Sequence, residues 1–141
     1  MPDFAAALAK ACPDGIDVYF ENVGGGVWDA VLPLLNPFSR IPLCGLIAQY
    51  NDGPQGGGTD RLPGTMHQLL YRSVTLRGFI QTEFAEEQQA DFLREAAQWI
   101  AQGRLRWRED VVQGLEKAPE AFIGLLEGGN FGKLIVRLGE G

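Results

Sequence analysis

Short apolar runs with strand character alternate with stretches of helical periodicity, and glycine or proline marks most of the changes. That order constrains the chain more than any other feature. Strands separated by helices need crossover connections, which lay the strands parallel in one sheet. A helix is predicted after Asp3 as its N-cap, with Phe4, Leu8 and Ala11 on one face. Cys12-Pro13-Asp14-Gly15 turns the chain into a buried strand from Ile16 to Asn22. Gly24-Gly25-Gly26 follows, then helical spacing from Val27 to Leu35, which Pro33 should kink and Asn36-Pro37 should stop. Arg40 to Cys44 reads as a second strand and Ser73 to Ile80 as a third. Between them lie a glycine-rich loop from Asn51 to Gly64, either a lid or a plain surface loop, and a helical turn at Met66 to Leu70. Glu86 to Gln102 is the clearest helix, with Phe92, Leu93, Ala96, Ala97 and Ile100 as its apolar stripe and Gly103 as its cap. Leu105 to Val112 is a fourth strand candidate. Ala118 to Leu126 is a last helix, with Pro119 in its first turn, and Lys133 to Leu138 a closing strand.

Composition removes several classes of function. The 141 residues carry 12 Lys and Arg against 18 Asp and Glu, a net charge of −6. Nucleic acid and anionic membranes both ask for a basic face, so neither is expected as a partner. Cys12 and Cys44 are too few for a disulfide scaffold or a zinc site and read as small buried hydrophobes. His67 is the sole histidine, which excludes a His-rich metal centre and any Ser-His-Asp triad not built on it. No metal is expected. The sequence shows no basic-then-apolar leader and no apolar run of spanning length, so a cytoplasmic, reducing location is the expectation.

Ligands of parallel sheets bind outside the carboxyl ends of the strands. Three segments lie there: Asn22 to Gly26, Cys44 to Tyr50, and Phe79 to Gln81. Gly24-Gly25-Gly26 opens a helix, where backbone N–H groups can receive a phosphate. The dinucleotide fingerprint fails, however, because Asp29 stands where its last glycine belongs, and a tight strand-to-helix turn accounts better for the glycines. The Asn22 amide either meets a ligand or caps its own turn. After Cys44, Gly45 would let backbone approach a ligand closely, and Tyr50 could stack on a flat ring. The phenol of Tyr71 could hold developing oxyanion charge or be a partly buried structural group. Arg104, Arg106 and Arg108 alternate with Leu105 and Trp107, as on a strand with one solvated face.

Asp17-Val18-Tyr19-Phe20-Glu21-Asn22-Val23-Gly24-Gly25, Asn36-Pro37-Phe38-Ser39-Arg40-Ile41-Pro42-Leu43-Cys44-Gly45 and Gln49-Tyr50-Asn51 resemble the medium-chain dehydrogenase/reductase superfamily. The closest resemblance is to its zinc-free, NADP-dependent branch of alkenal and prostaglandin double-bond reductases. Gly114-Leu115-Glu116-Lys117-Ala118-Pro119-Glu120-Ala121-Phe122 and Gly128-Gly129-Asn130-Phe131-Gly132-Lys133 look like that branch's closing motif.

The resemblance implies an α/β chain: a partial Rossmann-type parallel sheet over 1–103, the second half of an NADP-binding domain, and a strand-helix-strand return over 104–141 toward a catalytic domain. The pyrophosphate turn and the readers of the 2′-phosphate would lie upstream. It implies NADP(H) as cofactor, contacted by Asn22, by Cys44, Gly45, Leu46, Ile47, Ala48, Gln49 and Tyr50, by Phe79, Ile80 and Gln81, and by Asn130. Tyr71 matches a tyrosine that bonds the substrate carbonyl, and Tyr50 would line the substrate pocket. The implied activity is reduction of the C=C bond of an enal or enone, with this chain alone inactive. The alternative is a non-catalytic interaction module. The first strand would present a bare sheet edge, so homo-oligomers through sheet edges are expected.

Overall fold

The computed structural model describes residues 3–50 and 59–139. The chain divides into two compact units, Met1–Glu86 and Glu87–Gly141. The first unit begins with α1 (Phe4–Ala11), which the Asp3 side chain does not cap. Leu8 anchors this helix against the core. β1 (Ile16–Val18), β2 (Leu35–Leu43) and β3 (Thr75–Gly78) then form a three-stranded parallel sheet in the order β1-β2-β3. α2 (Gly25–Val31) crosses from β1 to β2, and α3 (Leu62–Tyr71) leads into β3. The alternation of strand and helix thus gives the parallel α/β sheet that the sequence predicts.

Several boundaries differ from expectation. The helix expected over Val27 to Leu35 ends at Val31. Pro33 cannot donate the next intrahelical bond, and Leu32–Leu34 form a 3-10 turn instead. Leu35 already belongs to β2, and Asn36-Pro37 lies inside that strand rather than ending a helix. The register explains how a proline is tolerated there. Ile16 pairs with Leu35 but Val18 pairs with Arg40, so β2 carries extra residues that bulge between them. Phe38 sits in the bulge at φ 66°, and its N–H donates to the Arg72 carbonyl at 2.7 Å. The Asn36 amide turns back and donates to the Asp14 carbonyl and to Asp17 Oδ1, both at 3.0 Å.

The glycine-rich loop lies largely outside the described residues, and so does the lid reading of it. Its last part is helical: Leu62–Gly64 open α3, with Pro63 in the first turn, so α3 is longer than the turn predicted at Met66 to Leu70. The core of this unit is small. Trp28 and Val31 of α2 pack on Leu35 and Ile41 of β2, with Leu8, Ile16, Tyr19, Val27, Leu32, Val74 and Leu76 around them.

α4 (Thr82–Ala101) is the long helix, and it begins four residues before the predicted start. Its expected apolar stripe is present but uncovered: Phe92, Leu93 and Ile100 are exposed. In the second unit, β4 (Glu109–Gln113) and β5 (Lys133–Arg137) pair in parallel in register from Glu109 with Lys133 to Gln113 with Arg137. α5 (Ala118–Leu126) connects them over the predicted range. The predicted strand from Leu105 starts late. The Arg104 and Leu105 N–H groups both donate to the Trp99 carbonyl, so the alternating arginines belong to the turn closing α4 and the approach to β4.

Leu35 is fully buried at the centre of the small core. Leu35→Ala should cost about 2–5 kcal/mol, since a cavity opens there in addition to the lost transfer energy. Denaturant unfolding of the variant tests this, and a loss below about 1 kcal/mol would show that the site collapses to fill the space.

Candidate functional site

The carboxyl end of the first unit's sheet is built around Glu21. Glu21 is 0% exposed, although a carboxylate rarely leaves water and Val18 and Phe20 before it are exposed. Its N–H donates to the Pro42 carbonyl at 2.9 Å, and its own carbonyl accepts from the Cys44 and Gly45 N–H groups at 2.8 and 3.2 Å. Its carboxylate Oε1 accepts the Val23 and Gly24 N–H groups at 2.6 and 2.8 Å. The Gly24 N–H is therefore engaged by protein and is not open to a phosphate, in keeping with the tight strand-to-helix turn read from the glycines. The turn still needs glycine, since Gly24 stands at φ 76° and Gly25 at φ 55°.

The exit of β2 is tied to the same turn. Ala48 N–H donates to the Val23 carbonyl at 2.9 Å, within the 3-10 turn Ile47–Gln49. A Cβ on Gly45 would stand 2.5 Å from Asn22 Oδ1, so a side chain there would push the Asn22 amide from its place. The Tyr19 phenol is buried near Glu21. Burial first, and the Glu21 charge second, push its pKa far up, so it stays a neutral O–H. Neither Tyr19 Oη nor Glu21 Oε2 has an aligned hydrogen-bond partner.

Two clefts open at this end. One, of about 500 Å³ and mostly apolar, is lined by Leu43, Cys44, Gly45, Leu46, Tyr50, Gly78, Phe79, Ile80 and Glu83. It gathers most of the residues singled out after the second and third strands. Phe79 is held between Phe20 and Phe84, with ring centroids 5.9 and 5.6 Å away in edge contacts. The Ile80 N–H donates to Glu83 Oε1 at 2.9 Å, and Glu83 Oε2 pairs with Arg77 at 2.7 Å. Those partners, the Ile80 N–H foremost, hold the Glu83 carboxyl below its ordinary range. The second cleft, also about 500 Å³, reaches Glu21, Gly24, Leu46, Gln49, Trp28 and Arg61. Arg61 makes a two-point contact with Asp29, at 2.7 and 2.9 Å.

The other predicted residues are more dispersed. Asn22 is exposed beside Gly45. Ile47 and Ala48 lie in the 3-10 turn, and Gln81 is exposed where its carbonyl accepts from Phe84. Tyr71 is the last residue of α3, 74% exposed, with its ring 4.2 Å from that of His67. It lines neither cleft. In the second unit, the Asn130 amide donates to the Gly132 carbonyl at 2.7 Å, so it serves its own turn. Asn130 also lines a cleft between β4 and α5. Asp110 Oδ2 secures that turn by accepting the Phe131 and Gly132 N–H groups at 2.6 and 2.9 Å.

Glu21, Leu43 and Glu83 were not among the predicted site residues. A lone carboxylate directly before asparagine and glycines, at the end of an apolar strand, was the available signal for Glu21. Among the described residues, no three His, Cys, Asp or Glu side chains gather where they would hold a metal ion. No helix among them is long and apolar enough to cross a membrane.

The profile of the zinc-binding dehydrogenase family matches residues 1–136. The NADPH-dependent curcumin reductase of Escherichia coli K12 is 51% identical over 136 residues, which are 96% of this chain and 39% of that protein. Prostaglandin reductase 1 of Rattus norvegicus is 39% identical over 132 residues, 93% of this chain and 39% of that protein. The crystal structure of CurA in complex with NADPH from Vibrio vulnificus superposes with a TM-score of 0.87 at 52% identity, covering all of this chain and 42% of that one. The chain thus spans about two-fifths of the length of these relatives.

The hydrogen bonds from Gly132 first, then Phe131, and the nearby Arg108 charge lower the Asp110 pKa from its ordinary 3.8. A depressed folded-state pKa gives a stabilisation that is full above the unfolded value and lost as pH falls through the folded one. The Phe131 and Gly132 amide resonances should therefore titrate with a midpoint below 3.8. Amide NMR over an acid titration tests this, and a midpoint at or above 3.8 would refute it.

Proposed function

Because this chain belongs to the zinc-binding dehydrogenase family, within the reductase branch of the medium-chain dehydrogenase/reductase superfamily, we propose that it forms the nicotinamide side of an NADP-dependent reductase of activated C=C bonds. The observation that carries this reading is the apolar cleft at the strand ends, where Cys44-Gly45-Leu46, Tyr50 and Phe79-Ile80 converge. In this reading residues 1–103 are the second half of the NADP-binding domain and 104–141 the return toward a catalytic domain. The family's description names zinc, but the described residues offer no ligand cluster for it, and no step is assigned to a metal.

The residues fit one half of a dinucleotide. Gly45 gives backbone access, Leu46, Phe79 and Ile80 supply apolar walls, and the Asn22 amide stands beside them with a donor and an acceptor for a carboxamide or ribose. Ile47, Ala48 and Gln49 complete the β2 exit, with Gln81 after β3 as a further contact. When bound, the reduced nicotinamide supplies hydride to the β-carbon of an enal or enone. The chain's own work is to orient that ring against the substrate and keep water from it. Tyr50 borders the cleft and lines the substrate side, and the Tyr71 phenol donates to the substrate carbonyl as charge grows on its oxygen. Tyr71 now lies on His67, so this role asks the phenol to turn from that ring toward substrate.

A second reading, an oligomerisation module derived from the same fold, draws on β1. Among the described residues that strand pairs with β2 alone, which leaves its other edge open. Such edges recruit further strands.

This chain alone should bind NADPH with a Kd of about 1 mM or weaker, and reduce no enone, because its residues include no pyrophosphate turn. Calorimetry giving micromolar affinity would overturn this. In a relative-length enzyme carrying this segment, Tyr71→Phe should lower kcat about 10²-fold with cofactor affinity kept. An unchanged turnover would remove Tyr71 from the chemistry. Light scattering should find this chain larger than its 15.4 kDa monomer, and a clean monomer would sink the sheet-edge association.

A further inference from the structure

We infer that Glu21 is the positioning residue of this site: its buried carboxylate sets where the Asn22 amide and the Gly45 backbone stand. What the site holds rests on the cofactor reading above; how it is held rests on hydrogen bonds alone.

A carboxylate loses much by leaving water, and it is retained in an interior when hydrogen bonds replace that water. Glu21 is fully buried, and its Oε1 collects two N–H groups from residues two and three further on. That grip bends the chain around Asn22, whose side chain is thereby aimed outward while the residues on either side are tied inward. The same residue's carbonyl receives the N–H groups of Cys44 and Gly45. One residue thus fixes both segments that meet at the Asn22–Gly45 contact. The second tie, from Ala48 N–H to the Val23 carbonyl, closes the ring of contacts. Glu21 touches neither cofactor nor substrate in this account, so its effect is transmitted through the turn.

The test compares the isotopically labelled chain with Glu21→Gln and Glu21→Ala. Gln keeps the shape and one acceptor oxygen without the charge, whereas Ala keeps neither. Amide exchange at Val23, Gly24 and Gly45 should rise about ten-fold in Ala and less in Gln, with the amides of β3 little changed. The Gly45 N–H receives no bond from the carboxylate, so its response reads transmitted positioning. Exchange that rises at Val23 and Gly24 but not at Gly45 would reduce Glu21 to a local cap. Equal loss of protection in β3 would make it a residue of the fold at large. Either result overturns the inference. NADPH is then titrated into each protein at millimolar concentration. Movement of the Asn22 and Gly45 resonances in the unaltered chain, and several-fold less in Ala, is expected. No movement in the unaltered chain would count against the cofactor reading, while the exchange data still decide the role of Glu21.

Discussion

The Glu21 carboxylate has given up its water, and it recovers hydrogen bonds from two N–H groups that the glycine turn points inward. This exchange decides the shape of the whole carboxyl end of the sheet. A strand that simply ran on past Tyr19 would leave the Val23 and Gly24 amides facing solvent. Bound to the carboxylate, they start α2 directly behind β1 and bring the turn against the exit of β2. Glycine at Gly45 serves the same arrangement, since a side chain there would displace the Asn22 amide. The cleft that follows is a consequence. With the β2 exit held back, Leu46, Tyr50, Phe79 and Ile80 are left facing a common space.

Sequence reading located the three segments at this end because strand termini are marked by strong local signals. Asn22 precedes three glycines, Gly45 ends an apolar run, and Phe79-Ile80 closes another. The helix over Ala118–Leu126 was also legible to the residue, with a proline at its start and paired glycines after it. The start of β2 was not. Leu35 completes a helical spacing, and Asn36-Pro37 has the look of a stop. Only the bulge, which lets a proline sit in the strand beside Arg72, reconciles those residues with a sheet. The alternation of Arg104 to Arg108 misled in the opposite direction, because these residues lie in the turn that closes α4 and the approach to β4, ahead of the pairing with β5 that begins at Glu109. Glu21 was invisible as a site residue for a different reason. Its importance comes from which amides face it, and that depends on the turn being already folded.

Amphipathic pattern also predicted more burial than the described residues provide. The apolar positions of α4 follow a helical stripe, yet Phe92, Leu93 and Ile100 meet solvent. α3 likewise exposes Leu62, Met66 and Leu70, and α5 exposes Phe122, Ile123 and Leu126. Large apolar patches of this kind mark surfaces that ordinarily face other protein. The first unit is therefore held by a few contacts, chiefly those of Trp28, Val31, Leu35 and Ile41. Its hydrogen-bonded strand ends then carry a larger share of its definition than they would in a domain with a deep core.

The two units solve one local problem in two ways. Each presents an asparagine on a glycine-containing turn, and each ties that turn with a carboxylate accepting two backbone N–H groups: Glu21 below Asn22, Asp110 beside Asn130. Asp110 keeps contact with solvent and with Arg108, so its charge costs little and its grip yields in acid. Glu21 is sealed under the turn with Tyr19 beside it. A buried carboxylate is an expensive way to hold a loop, and hydrophobic residues would hold the strands at lower cost. Its presence at the strand ends, rather than in the centre of the sheet, fits a demand on position: the Asn22 amide must stand at one place relative to Gly45, and an acceptor that grips two amides from below fixes it there without occupying the cleft above.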